Sequence, residues 1–196
     1  IPRASSLIAL GAVVLCIGSP LMSWLTSSLD RRLAMAGAMF VIAAAHIISA
    51  FVTTFDALLA IRLAMLLAAA YFTPQAASMV GIAAPPEKRA GAIAYVFIGW
   101  SFAIAMGVPL ATVLASRFGW PSAYLAIGVA ATISFLALMI AIPTHFKTPP
   151  VDLKAWGELF RSQSILILLL ITAIIASAQY MILTFIAPLL VLLGNS

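Results

Sequence analysis

Charge is what this sequence has least of. Of its 196 residues, 8% are Asp, Glu, Lys or Arg, where an ordinary soluble domain carries about a quarter. A soluble domain of this size keeps too much of its chain at the surface to be covered so thinly, so the composition excludes a soluble globular fold. The five acidic residues leave no carboxylate pair inside an apolar stretch, which removes the usual acid–base and metal chemistry of membrane enzymes. Cysteine is nearly absent as well. Cys16 stands alone inside an apolar run, so there is no disulfide framework and no thiolate metal spacing. No His-Glu-x-x-His stretch occurs, and nothing calls for a metal or a cofactor.

What is present in quantity is apolar surface, 65% of the residues. It is gathered into runs at 6–27, 33–52, 57–80, 91–115, 121–142 and 165–193, each near the roughly 20 residues that a spanning helix needs. The pattern predicts an all-α, polytopic membrane helix bundle with six transmembrane helices. Short polar breaks separate the runs, among them Asp30-Arg31-Arg32, Pro85-Pro86-Glu87-Lys88-Arg89 and Arg117-Phe118-Gly119-Trp120-Pro121. The break at 143–163 is longer and carries Lys147, Pro149-Pro150, Asp152, Lys154, Glu158 and Arg161, which predicts a linker with a short surface helix over 153–160.

The net charge of +5 is a topology signal. Arg31, Arg32, Lys88, Arg89, Lys147, Lys154 and Arg161 fall on alternate breaks, and the other side has Arg3 and Arg117. The positive-inside bias therefore predicts that loops 28–32, 81–90 and 143–163 are cytoplasmic. These residues form no basic stripe, so a nucleic-acid partner is not expected; the partner is the lipid bilayer.

Arg62 belongs to neither side. It sits inside the third run, where an arginine costs at least about 2.5 kcal/mol and normally faces a water-filled interior. It either snorkels to the outer interface near Asp56 or lies in a transport or proton pathway, on a helix face with Met65, Ala69, Phe72, Thr73 and Ala76. In the fourth run Gly99, Ala103, Gly107, Ala111 and Ala115 recur every four residues and make one face small, with Pro109 predicting a mid-membrane bend. That face serves either tight packing or a moving, gating contact; Pro74 and Pro188 mark other expected bends. The last run presents Ser177, Tyr180 and Thr184 at helical spacing, with Gln179 beside them. Tyr71, Phe72, Tyr95, Gln179, Tyr180 and Thr184 would together suit a cavity for a neutral or amphipathic solute. Two other classes stay open: a membrane serine protease using Ser101 with His46 or His145, and a channel or non-transporting scaffold.

The breaks also carry a resemblance. Gly18-Ser-Pro20 through Leu29-Asp30-Arg31-Arg32 resembles the loop motif between the second and third helices of major facilitator superfamily transporters. Leu59-Ala-Ile-Arg62 resembles the family's fourth-helix arginine motif, and Gly107-Val108-Pro109-Leu110 its fifth-helix antiporter motif. Ser27, Asp30, Leu66 and Ala111 depart from the family pattern, whereas Arg62, Gly107 and Pro109 are retained. The branch that the chain is most similar to exports drugs, sugars or nucleosides in exchange for protons. The resemblance implies a secondary active transporter of the cell (inner) membrane, not an enzyme, whose partners are a small-molecule substrate and protons. It also implies that the six runs, beginning at Ile1 rather than a methionine, are helices two to seven of a twelve-helix fold. On that register 1–142 is an amino-terminal bundle lacking its first helix, 143–163 is the central cytoplasmic linker, and 164–196 is the first helix of the carboxy-terminal bundle; the missing helices complete the protein.

Overall fold

The structure is a computed structural model that describes residues 2–142, 157, 160–192 and 194. Its helices are α1 (Pro2–Leu25), α2 (Arg31–Ser49), α3 (Phe55–Ala83), α4 (Arg89–Phe102), α5 (Val108–Phe118), α6 (Trp120–Ala141) and α7 (Gln163–Leu192). The described residues contain no strand, and the fold is an all-α membrane helix bundle. Helices α2, α3 and α6, and the segment Pro86–Phe118 that contains α4 and α5, are each long and apolar enough to cross a membrane. The chain divides into two compact units, 1–150 and 151–196; α7 belongs to the second. The expected surface helix over 153–160 lies, apart from Gly157 and Phe160, outside the described residues.

Local chemistry sets the helix ends. At the close of α1 the hydroxyls of Thr26 and Ser27 donate to the carbonyls of Met22 (2.6 Å) and Trp24 (2.7 Å), which occupies acceptors that the ending helix leaves free. Asp30 caps α2: its carboxylate accepts from the Arg32 backbone N–H at 2.9 Å. The corner between α5 and α6 is made by Gly119, whose φ of +84° is a conformation few side chains tolerate, followed by Pro121 in the first turn of α6. The Ser122 hydroxyl closes that corner within reach of the Leu114 carbonyl (3.0 Å) and the Gly119 carbonyl (2.7 Å).

In the first unit, α1 packs on α3, α2 packs on both α3 and α6, α5 on α6, and α4 on α3. Close approach depends on glycines that the sequence pattern did not single out as a set. Gly18 of α1 lies against Leu67 and Ala70 of α3, and Gly128 of α6 lies against Ile47 and the Ala43 carbonyl of α2. The buried center is Met35, Ala38, Tyr71 and Ile142, with Met22, Phe72 and Leu138 around it. Large apolar side chains such as Phe40, Tyr95, Phe102 and Ile140 are exposed on the outside, which suits a lipid surround.

Where a bend is expected around Gly107 and Pro109, the helix makes a π turn. Residues Ala103–Gly107 leave α-helical pairing, and α5 resumes at Val108 with Pro109 in its first turn. Proline has no N–H to give the preceding turn and its ring crowds that turn's carbonyl, and a locally widened turn relieves both. By contrast α3 runs on through Pro74 as one helix.

Candidate functional site

The loops of the first unit lie at two ends. The basic end holds the loops with Arg31, Arg32, Lys88 and Arg89, and the opposite end holds Thr53 and Gly119. Arg62 lies nearer the opposite end, seven residues into α3, or about 10 Å along its axis. Its Nη1 donates to the Tyr124 hydroxyl of α6 at 3.2 Å. Tyr124 is steadied by Trp120, whose ring meets it edge-on at 5.8 Å. The His46 ring, from the last turn of α2, lies 6.1 Å from the Tyr124 ring. A carbonyl only accepts, so the 2.8 Å contact between His46 Nδ1 and the Ile42 carbonyl places a proton on Nδ1 and leaves Nε2 of the neutral ring as an acceptor.

Three helices thus bring a fixed cation, a phenol and an imidazole together among apolar side chains. A hydrogen bond to a charged group contributes about 1.5–3 kcal/mol, comparable to the cost of an arginine at this depth. Asp56 is exposed in the first turn of α3, where a negative charge suits the helix dipole. The sequence had no means of pairing Arg62 with Tyr124: a tyrosine near a helix start looks like an interfacial anchor.

At the basic end Arg32 is half-buried, and its Nη2 donates to the Met139 carbonyl near the end of α6. A cation there meets a carbonyl of the last helical turn, to which Pro143, four residues on, has no N–H to offer, and the negative end of the helix dipole. Arg31 is half-buried beside it. Gln75 of α3, which sequence reasoning passed over, donates from Nε2 to Ser23 Oγ of α1 at 3.1 Å. Its signal was a lone amide in an apolar run.

The other candidates are placed as follows. Gly99, Ala103, Gly107 and Pro109 are exposed, and a Cβ added at Gly99 or Gly107 would meet nothing within 4 Å. Tyr71 is 3% exposed, in the core between α2, α3 and α6, with Phe72 against it. Tyr95 is on the outer surface of α4 at 76% exposure. Gln179 is exposed on α7; the side chains of Tyr180 and Thr184, and all of His145, lie outside the described residues. Ser101 donates to the Phe97 carbonyl within its own helix at 3.3 Å. That helix, α4, packs on α3 and not on α2, so His46 and Ser101 are not brought together.

Stacked apolar helices with a charged side chain held inside them define a polytopic membrane protein. Residues 2–196 match the family model for the Major Facilitator Superfamily, and the chain belongs to that superfamily. Over 191 residues it is 27% identical to an uncharacterized MFS-type transporter, YtbD, of Bacillus subtilis (strain 168), an alignment that covers 97% of this chain and 48% of that protein. The chain therefore spans about half the length of the curated relative it matches.

Proposed function

We propose that the full protein is a secondary active transporter that works by alternating access, with two helical bundles rocking about a midplane site. The observation that carries this reading is the Arg62–Tyr124 hydrogen bond beside His46, a charged cluster at depth of the kind that marks substrate and ion pathways. Membership of the superfamily and the relative's description as an MFS-type transporter support it. The substrate is a small solute of sugar, nucleoside or drug-like character, and the direction is efflux against protons. Arginine stays charged throughout the physiological range. Arg62 therefore acts as a fixed cation that tunes a neighboring protonatable group or a bound substrate, and does not carry the proton itself.

On this reading 1–142 belongs to one bundle, 143–163 is the linker between bundles and 164–196 opens the second. The protein sits in the cell membrane with the basic end toward the cytoplasm, and the small face with Gly99, Ala103, Gly107 and Pro109 takes part in the contact between bundles. The test is solute flux into vesicles containing the full-length protein, driven by an imposed pH gradient. Export that follows the gradient and is lost on Arg62→Ala supports the reading. Wild-type flux after Arg62→Ala removes the role given to the arginine, and flux indifferent to the gradient removes proton coupling.

A further inference from the structure

Buried side-chain atoms without a hydrogen-bond partner are few among the described residues: Arg32 Nε, Tyr71 OH and Gln75 Oε1. None belongs to the Arg62 cluster. Tyr71 and Gln75 are one turn apart on the same face of α3, and only 3% and 7% of their surfaces are exposed. The Tyr71 ring is fixed against Met35 and Ala38 of α2 and Ile142 at the end of α6. The Gln75 amide is fixed from the other side, because Nε2 already donates to Ser23 Oγ of α1. With Nε2 turned to Ser23, the unmet end of the amide is its oxygen, an acceptor.

Buried polar atoms in native proteins are almost always paired, with protein, ordered water or ligand. Here a phenol and an amide oxygen are held on one helix face, among packed side chains, both unmet. An anion only accepts and would leave the Gln75 oxygen without a donor. An ammonium group only donates, and would leave the phenol proton without an acceptor. A hydroxyl does both. We propose that Tyr71 and Gln75, braced by Ser23, form a buried site for one hydroxyl, which accepts from the Tyr71 O–H and donates to Gln75 Oε1. That hydroxyl belongs either to an ordered water or to a neutral polyol solute. The site is distinct from the Arg62 cluster and does not depend on the transport reading.

The test is thermal unfolding of the full-length protein carrying Tyr71→Phe, Gln75→Leu or both, in detergent, with and without excess xylitol as the polyol probe. An unmet phenol is a burden, so its removal would leave Tm unchanged or raise it. A phenol that shares a hydroxyl with Gln75 behaves in the opposite way: Tyr71→Phe lowers Tm by about 2–4 °C in the otherwise native protein and has no effect in the Gln75→Leu background. That dependence seen without xylitol supports the site with water as its occupant; seen only with xylitol, it supports the site with a solute hydroxyl. A rise or no change on Tyr71→Phe under both conditions, or the same loss in both backgrounds, overturns the proposal. Gln75→Met replaces Gln75→Leu if the latter does not reach the membrane.

Discussion

Arg62 Nη1 and the Tyr124 hydroxyl join α3 to α6 across 62 residues of sequence, at 3.2 Å. The bond fixes where a permanent positive charge sits in an apolar bundle, and Tyr124→Phe removes it while keeping the ring that meets Trp120 and His46. A hydrogen bond to a charged group is worth about 1.5–3 kcal/mol, so proton-driven flux by the full-length protein should fall about ten- to hundredfold if the guanidinium must be held in place. Arg62→Lys should fare no better, because an ammonium keeps the charge but not the planar fork. Undiminished flux in Tyr124→Phe vesicles would detach the phenol from the mechanism.

The apolar run at 33–52 predicts α2, observed as Arg31–Ser49, and the run at 57–80 predicts α3, observed as Phe55–Ala83. Length and hydropathy suffice there because a spanning helix must satisfy its backbone internally. Arg62 also stood out, since a charge at depth is conspicuous in one dimension. Its partner did not: Tyr124 becomes a partner only when α3 and α6 are both packed, and an apolar pattern does not say which helices meet. The same holds for Gln75 with Ser23 and for Arg32 with Met139. The small face of Gly99 and Gly107 was the most regular pattern in the chain, yet in this unit it meets open space. The tight crossing uses Gly128, which has no such repeat around it.

Gly128→Ala should therefore destabilize the bundle where Gly99→Ala does not. A Cβ at position 128 would lie 2.7 Å from Ile47 Cγ1 and 3.2 Å from the Ile47 backbone nitrogen, so the α2–α6 crossing must open. Overpacking of this kind costs about 1–3 kcal/mol. Gly99→Ala meets nothing within 4 Å and gains about 0.5–1 kcal/mol of helix preference. Thermal unfolding of the two variants should move in opposite directions, and an unchanged unfolding temperature in Gly128→Ala would contradict the packing of α6 on α2.

Gly107→Leu separates packing from gating. The position is open in this unit, so the variant should reach the membrane with its unfolding temperature preserved. If the face works between bundles, a leucine there blocks their approach and export is abolished. Normal export with normal stability would remove the gating role from the face.

Asp30→Ala tests the cap. The carboxylate accepts the Arg32 N–H at 2.9 Å, and loss of such a cap costs about 0.5–2 kcal/mol, whereas asparagine caps nearly as well. Thermal unfolding should fall for Asp30→Ala and recover for Asp30→Asn. A loss of the same size in both variants would instead point to the charge of Asp30 rather than its hydrogen bond.

The last prediction concerns sidedness. Arg32 at the start of α2 reaches the Met139 carbonyl near the end of α6, so these two termini lie at one end of the bundle whatever the charges imply. Positive-inside bias puts that end in the cytoplasm. Ser28, Thr53, Glu87 and Ser116 are exposed positions at or beside successive helix ends, and each takes a cysteine in a Cys16→Ser background, which removes the exposed native thiol. In intact cells a membrane-impermeant maleimide should label Thr53→Cys and Ser116→Cys, and should reach Ser28→Cys and Glu87→Cys only after permeabilization. Complete inversion of this pattern would overturn the orientation while leaving the bundle intact. Labeling of Ser28→Cys together with Thr53→Cys from one side would contradict α2 as a membrane-spanning helix.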